Sequence, residues 1–401
     1  MIVKSIKDVC TINPKGTLDS FTGSEISFVP MEAVSTTGHI NTEKRIAVDR
    51  VKNYTVFREG DILFAKITPC MENGKGAIAV NLHNGYGAGS TEFIVLRPDL
   101  SQVTAKWIQL FLSQKSFRLH CQQHMTGSAG QKRVPAKFLG ACTIPVPPLE
   151  EQNRIVARIE ELFSELDNGV ETLQNVREQV ARYRYAAIEN AIPYSNLRMI
   201  AECIVDMGQG WSPKCERENT IDDETWAVIK TTAVQPCNFV FEENKVLPMT
   251  LEPREKHEIQ VGDILITRAG PKSRCGVCCM VRKTKKRLLN CDKVYRIRVN
   301  SAILLPEYLE YVLNSPSFIK EIALCKTGGN DSGLNLTQNR FLSIQIPVPM
   351  IDEQKQIIQE IESRLSVCDS IEKTVDTALQ QAEAMRQSIL KKAFEGNHIT
   401  K

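Results

Sequence analysis

Ile144-Pro145-Val146-Pro147-Pro148-Leu149-Glu150-Glu151-Gln152 occurs once in the first half of this 401-residue chain, and its core returns as Ile346-Pro347-Val348-Pro349 with Glu353-Gln354, displaced by 202 residues. Working outward, Gly60-Asp61-Ile62-Leu63-Phe64 recurs as Gly262-Asp263-Ile264-Leu265-Ile266 at the same displacement. Phe138-Leu139 matches Phe341-Leu342, and Ala33-Val34 matches Ala233-Val234, each within two residues of that spacing. One short match can be chance. Five in the same order mark an internal duplication, so each half is one globular domain followed by one further segment.

That further segment reads as a long helix in both halves. Ile155, Ile159, Leu162, Leu166, Val170, Leu173, Val176, Val180, Tyr183 and Ala187 are spaced three or four apart, which lines them along one helix stripe. Ile358, Ile361, Leu365, Cys368, Ile371, Val375, Ala378, Ala382, Met385 and Ile389 do the same. Prolines precede each stripe, and Glu150-Glu151 and Asp352-Glu353 place negative charge in the first turn, where the helix dipole favours it. Pro193 stops the first helix, and Gly396-Asn397 suits the end of the second. At 1.5 Å per residue each helix would be roughly 60 Å long. A full-length apolar stripe needs a partner, and the natural one is the other helix.

The expected organisation is therefore a domain over 1–148, a helix over 149–192, a second domain over 193–350 and a second helix over 351–401. The expected fold class is α+β: two mixed, strand-rich globular domains joined by two long coiled-coil helices, with a pseudo-two-fold internal repeat. Asp61–Ala65, Phe93–Leu96, Asp263–Ile266 and Tyr295–Val299 have strand composition, and Lys106–His120 and Pro306–Leu324 read as short helices. The repeat also permits the N-terminal domain to dock against the far end of the second helix.

The overall net charge of +3 resolves into +6 over 1–148, −4 over 149–190, +3 over 191–350 and −2 over 351–401. Basic domains and acidic helices fit a polyanionic partner of the domains. No run of eighteen apolar residues suggests a membrane span, and Met1–Cys10 carries no apolar signal core, so a cytoplasmic location with reduced cysteines is expected. Of thirteen cysteines, Cys275, Cys278, Cys279 and Cys291 come nearest to a zinc pattern, but a single CxxC with one distant cysteine reads better as buried thiols. Trp107, Trp211 and Trp226 read as core or lining.

Catalytic signatures are lacking. Asn73-Gly74-Lys75-Gly76 has neither the spacing nor the hydroxyl residue of a phosphate-binding loop. There is no GxGxxG between a strand and a helix, no HExxH, and no Asn/Asp-Pro-Pro-aromatic motif beyond a faint likeness at Ile192-Pro193-Tyr194. The chain is expected not to be an enzyme and to bind no metal or cofactor of its own.

With the domain–helix–domain–helix order in hand, Ile144 to Ile155 resembles the junction between a target recognition domain and a conserved helix in specificity subunits of type I restriction–modification systems. Ile346 to Gln354 resembles the second such junction, and Ser388-Ile389-Leu390-Lys391-Lys392-Ala393-Phe394-Glu395-Gly396 resembles the end of that family's second helix. Gly60 to Gly76, with Lys66-Ile67-Thr68-Pro69, is similar to a common type of recognition domain. The resemblance implies that each domain reads one half of a bipartite, asymmetric double-stranded DNA target and that the two long helices run antiparallel and set the spacer. It further implies two modification subunits, which bring S-adenosylmethionine and methylate adenine, and restriction subunits, which bring ATP and magnesium. The subunit of a related system that cuts on both sides of its site would look the same. A stand-alone methyltransferase or nuclease, and a coiled-coil structural protein, are the alternatives from other classes.

DNA contacts are ranked by chemistry. Gly127–Arg133 is a Gly-rich polar loop offering Ser128, Gln131, Lys132 and Arg133, and its counterpart over 326–340 offers Asn330, Asn335, Gln338, Asn339 and Arg340. Asn and Gln pair bidentately with adenine, and Arg with guanine. Lys66 and Thr68, with Arg268 in the second half, follow the repeated strand, and Lys75 and Lys272 lie further along; phosphate contact is expected of them. Lys283, Lys285 and Lys286 belong to a run, Arg282–Arg287, with five cations in six residues, either a solvated hairpin tip or a grip on the DNA backbone.

Overall fold

A computed structural model describes residues 2–128, 130–329, 331 and 333–396. The chain forms two compact units, Met1–Leu173 with Thr377–Lys401 and Gln174–Asp376. The long helices, Leu149–Ala191 and Ile351–Phe394, each contribute one part to each unit. In both units the two helical parts pack antiparallel, the start of one beside the end of the other. The α+β class with two long helices pairing is the architecture expected from the repeat.

In the first unit, Cys10–Ile12, Phe93–Pro98, Ile62–Ala65 and Gly76–Ile78 form a four-stranded antiparallel sheet in that order. Strand alternation sends Ile62 and Phe64 to the helix-facing core and Leu63 and Ala65 to the core on the opposite side. That second core is closed by a sheet ordered Arg45–Ala47, Glu25–Val29, Tyr86–Gly89, Thr55–Arg58, in which Glu25–Val29 and Tyr86–Gly89 run parallel. Ile2–Ser5 pairs with Thr143–Val146, tying the start of the unit to the strand that leads into the first helix.

The second unit repeats the plan. Its sheet runs Ile204–Gln209, Val294–Val299, Ile264–Thr267, Cys278–Met280, again antiparallel throughout. Ile264 and Ile266 face the helix-side core and Leu265 the other. Asn244–Val246, Ala227–Ile229 and Leu288–Leu289 form the companion sheet, and Leu197–Met199 pairs with Gln345–Pro347.

The repeated Gly-Asp has a physical cause. Gly60 and Gly262 adopt φ of 82° and 90°, the left-handed region open to glycine. The following aspartates are buried and close the turn: Arg58 N donates to Asp61 Oδ2 at 2.9 Å, and Gln260 N to Asp263 Oδ2 at 2.8 Å. Each carboxylate also takes an arginine from the neighbouring strand, Arg97 Nε to Asp61 at 2.8 Å and Arg298 Nε to Asp263 at 2.8 Å. The repeated Glu-Gln is equally structural. Fully buried Gln152 accepts from Thr104 N at 2.9 Å and donates to the carbonyls of Gln102 and Pro147, both at 2.8 Å. Gln354 does the same with Leu305 N, Ile303 O and Pro349 O, each at 2.8 Å.

The two predicted domain helices are each broken in two, Ala105–Leu112 with Lys115–Gln123 and Pro306–Asn314 with Pro316–Leu324. Trp107 is fully buried, its ring centroid 4.4 Å from that of Phe394 and its Nε1 donating to Pro145 O at 2.9 Å. The end of the second long helix thus completes the core of the first unit.

Three stripe positions need correcting. Tyr183, Ile371 and Met385 are 51%, 37% and 55% exposed. A straight helix at 3.6 residues per turn drifts from a strict spacing of 3.5, and the seam at these levels is carried by Arg184, Glu372 and Arg386 instead. The cysteine cluster does not converge: Cys275 and Cys278 belong to the helix-side core, Cys279 and Cys291 to the opposite one. Burial pushes the Cys291 thiol up to about 11. No helix among the described residues is long and apolar enough to cross a membrane.

Candidate nucleic-acid interface

In the first unit, Thr126 and Arg133 exchange backbone hydrogen bonds, Thr126 N to Arg133 O at 3.0 Å and Arg133 N to Thr126 O at 2.8 Å. They close a loop over 126–133 that places Ser128, Gln131 and Lys132 in solvent. Gly127 has φ of 125°, and a Cβ there would lie 2.8 Å from Gln131 O, so the loop needs glycine at this point. The loop is sewn to the segment after the repeated strand: Thr68 N donates to Lys132 O at 3.0 Å and Val134 N to Lys66 O at 2.9 Å. Two stretches far apart in sequence, Lys66–Thr68 and Gln131–Val134, therefore form one surface.

The second unit builds the same junction. Lys326–Thr327, Leu334–Leu336 and Ala269–Gly270 form a small antiparallel sheet in the order Ala269–Gly270, Leu334–Leu336, Lys326–Thr327. Leu336 N donates to Arg268 O at 2.6 Å. Gly328 takes the part of Gly127, with φ of 142° and a would-be Cβ 2.7 Å from Gly333 O. Asn335 is exposed opposite Ala269, as Arg133 stands opposite Ile67. Lys272 N donates to Asp331 O at 2.8 Å, and the two side chains form an exposed pair at 3.6 Å. Gln338, Asn339 and Arg340 follow on the helix Gln338–Leu342, with Asn339 and Arg340 exposed. Asn330 lies outside the described residues.

Several cations are engaged within the protein. Lys66 Nζ donates to Thr91 O at 2.7 Å. Arg268 Nη1 donates to Asp292 O at 3.0 Å, with its guanidinium 5.5 Å from the Tyr295 ring centroid. Thr68 Oγ1 donates to Glu72 at 3.3 Å. Lys75 departs from expectation: its ammonium donates to Met31 O at 3.1 Å, and it lines a cavity of about 480 Å³ with Arg118, Glu383 and Arg386, not the loop surface.

The basic run 282–287 is also corrected. Lys285 is 4% exposed, and its ammonium donates to the carbonyls of Asp222, Thr225 and Lys286 at 2.8, 2.7 and 3.0 Å. Burial pushes its pKa down. Arg282 Nη1 donates at 3.1 Å to the fully buried carboxylate of Glu310. Lys283, 5.7 Å from the Phe241 ring centroid, and Lys286 are exposed, and Arg282 is exposed while paired with Glu310, so Lys285 is the cation of the run that turns inward.

Sequence reading missed Glu92. Its carboxylate receives Arg133 Nε at 3.0 Å on one oxygen and Nη2 at 2.9 Å on the other. Its backbone carbonyl accepts from Lys66 N at 2.9 Å, as that of Lys293 accepts from Arg268 N at 2.8 Å. Aligning the two halves would have exposed this position, since one half carries an acid where the other carries a base.

Each of the two duplicated domains presents a polar loop on a strand-rich core and leads into a long helix. Residues 1–176 match the description "Type I restriction modification DNA specificity domain". The EcoEI type I restriction enzyme specificity subunit of Escherichia coli is 32% identical over 472 residues, covering 94% of this chain and 79% of that protein. The EcoKI specificity subunit of Escherichia coli K12 is 26% identical over 320 residues, covering 75% of this chain and 67% of its own length. Among solved structures, a chain described under "Structural basis underlying complex assembly and conformational transition of the type I R-M system" superposes with a TM-score of 0.79 at 18% identity, covering 99% of this chain and 98% of its own. The HsdS subunit from Thermoanaerobacter tengcongensis gives a TM-score of 0.57 at 18% identity, covering 99% and 97%. The chain belongs to the specificity subunits of type I restriction–modification systems.

Proposed function

We propose that this chain directs a restriction–modification complex to its DNA, each unit reading one half of a bipartite, asymmetric target. The observation that carries this is the duplicated junction: the same two segments meet through the same backbone hydrogen bonds in both units, yet present different side chains. Exposed lysines supply attraction to phosphates, which positions the protein without encoding sequence. Asn, Gln and Arg supply the donors and acceptors that distinguish bases in the major groove. Two half-sites multiply their discrimination, so one long target can be found among many near-matches.

The long helices fix the number of base pairs between the half-sites and carry docking surfaces for two modification subunits. Those subunits bring S-adenosylmethionine and methylate adenine, and restriction subunits bring ATP and magnesium. The chain itself binds none of these and performs no chemistry, acting in the cytoplasm where chromosomal DNA is. Comparing N6-methyladenine across the host genome with and without this gene tests the reading. Loss of methylation at one bipartite motif is the expected result. Methylation or cleavage of DNA by the purified chain alone would overturn it.

A further inference from the structure

The Arg133–Glu92 pair rests on the reading above and extends it to a base. A guanidinium carries five N–H donors and no acceptor. Nε and one Nη2 hydrogen of Arg133 go to Glu92, at 3.0 and 2.9 Å, and one Nη1 hydrogen goes to Gln131 O at 3.0 Å. Among the described residues, counting leaves one N–H on each terminal nitrogen without a partner. The side chain remains 41% exposed, so the guanidinium is not sealed off from solvent by its carboxylate clamp.

Both ends of Arg133 are fixed. Its backbone exchanges hydrogen bonds with Thr126, and its head is clamped by a carboxylate on a separate segment. Glu92 is itself held, its backbone N donating to Ser90 Oγ at 3.2 Å and its carbonyl accepting from Lys66 N. An arginine immobilised before binding loses less rotamer freedom on contact, and its planar fork keeps direction. Phosphate attraction needs no such aim. Two adjacent, aimed N–H donors match the paired N7 and O6 acceptors that guanine presents in the major groove. In the second unit Asn335 stands in the register of Arg133, and Lys293 in that of Glu92, so these two positions do not repeat the pair.

From this geometry we infer that Arg133, oriented by Glu92, reads a guanine in the half-site of the first unit. Glu92 is a positioning residue and Arg133 the base-contacting one. Substitution of either should change which sequences are methylated, not only how much.

The test uses the full chain assembled with its modification subunit, a pool of DNA with randomised half-sites, and sequencing of methylated products. Wild type should yield a bipartite motif with a fixed G·C pair in one half. Arg133→Ala should accept all four bases at that one position, with methylation of the original site reduced about ten- to hundred-fold. Arg133→Lys, which keeps charge and stem but loses the fork, should show the same relaxation, and its melting temperature should match wild type. Glu92→Gln should relax the position partly. A wild-type motif in both Arg133 variants overturns the guanine contact, and so does a uniform loss at all sites with no position relaxed. A wild type that methylates without any bipartite motif overturns the proposed function itself.

Discussion

Arg386 of the second long helix pairs with Asp167 of the first, and its guanidinium lies 4.3 Å from the Phe163 ring centroid. The repeat places the matching pair, Arg184 with Asp369, in the other unit, where Glu372 adds a second carboxylate at 2.9 Å. Each arginine and each aspartate is displaced by 202 residues from its counterpart, so the helix seam carries the same polar clasp twice. Half-exposed pairs of this kind contribute little individually, about 0.2–1 kcal/mol, and less at high salt. Arg386→Ala should nevertheless cost more than Asp167→Ala, because it also removes packing over Phe163. Thermal denaturation of both variants at low and high salt reads this. Equal losses that vanish together in salt would show that charge alone is at work.

Gln152 and Gln354 lock each domain to the first turn of its long helix. Replacing Gln152 with Leu keeps the volume and removes one acceptor and two donated hydrogen bonds, leaving Thr104 N and the carbonyls of Gln102 and Pro147 without partners in a buried site. A buried group left unsatisfied costs roughly 1–3 kcal/mol, so a loss of about 3 kcal/mol is expected. Denaturant unfolding should show the midpoint of the first unit falling, with the equivalent Gln354→Leu acting on the second. A neutral Gln152→Leu would mean that the three backbone groups find other partners.

Lys285 and Lys132 should separate cleanly in a DNA-binding experiment. Lys285→Met strips three carbonyls of their shared donor and should destabilise the second unit by about 2 kcal/mol while leaving the salt dependence of DNA binding unchanged. Lys132→Ala should leave stability within about 0.5 kcal/mol, as an exposed substitution does. It should also lower the slope of log affinity against log salt by about 1 if it neutralises one phosphate. Binding isotherms at a series of salt concentrations decide the matter, and a reduced slope for the Lys285 variant would contradict its buried placement.

The duplication was legible because its conserved-looking pieces do structural work that depends on residue identity: glycine at positive φ before Asp61 and Asp263, and a buried Gln pegging each helix. The long helices were legible because their apolar spacing is sustained. Sheet topology was not. The strand Tyr86-Gly87-Ala88-Gly89 has the composition of a turn, yet a Cβ at Gly89 would lie 2.1 Å from Val29 O, so glycine is what lets this strand pair in parallel so closely. Residue type also could not tell Lys285 from Lys286. A charge run announces its net charge, and which ammonium turns inward depends on carbonyls contributed by residues about sixty positions away. The candidate DNA surface was half legible for the same reason: the Gly-rich loops stood out, but Glu92 acquires its part only when the fold brings it to Arg133.

The Arg133–Glu92 pair also sets a pH window. The hydrogen bonds from Arg133 hold the Glu92 carboxyl below its ordinary value, while Glu92 raises the pKa of Arg133. A carboxyl whose pKa is depressed in the folded state contributes stability that is present above its unfolded value, about 4.3, and is lost as pH falls through the lower folded value. The arginine stays charged throughout. Sequence discrimination at the position read by Arg133 should therefore be flat from about pH 5 to 8 and decline only below the ordinary glutamate range, with overall binding declining less. Glu92→Gln abolishes the titration and should show weakened discrimination that no longer varies with pH. Competition binding between the cognate site and a site altered at that one position, repeated across pH, measures this. Discrimination that falls between pH 8 and 6 would mean that another titrating group controls the contact.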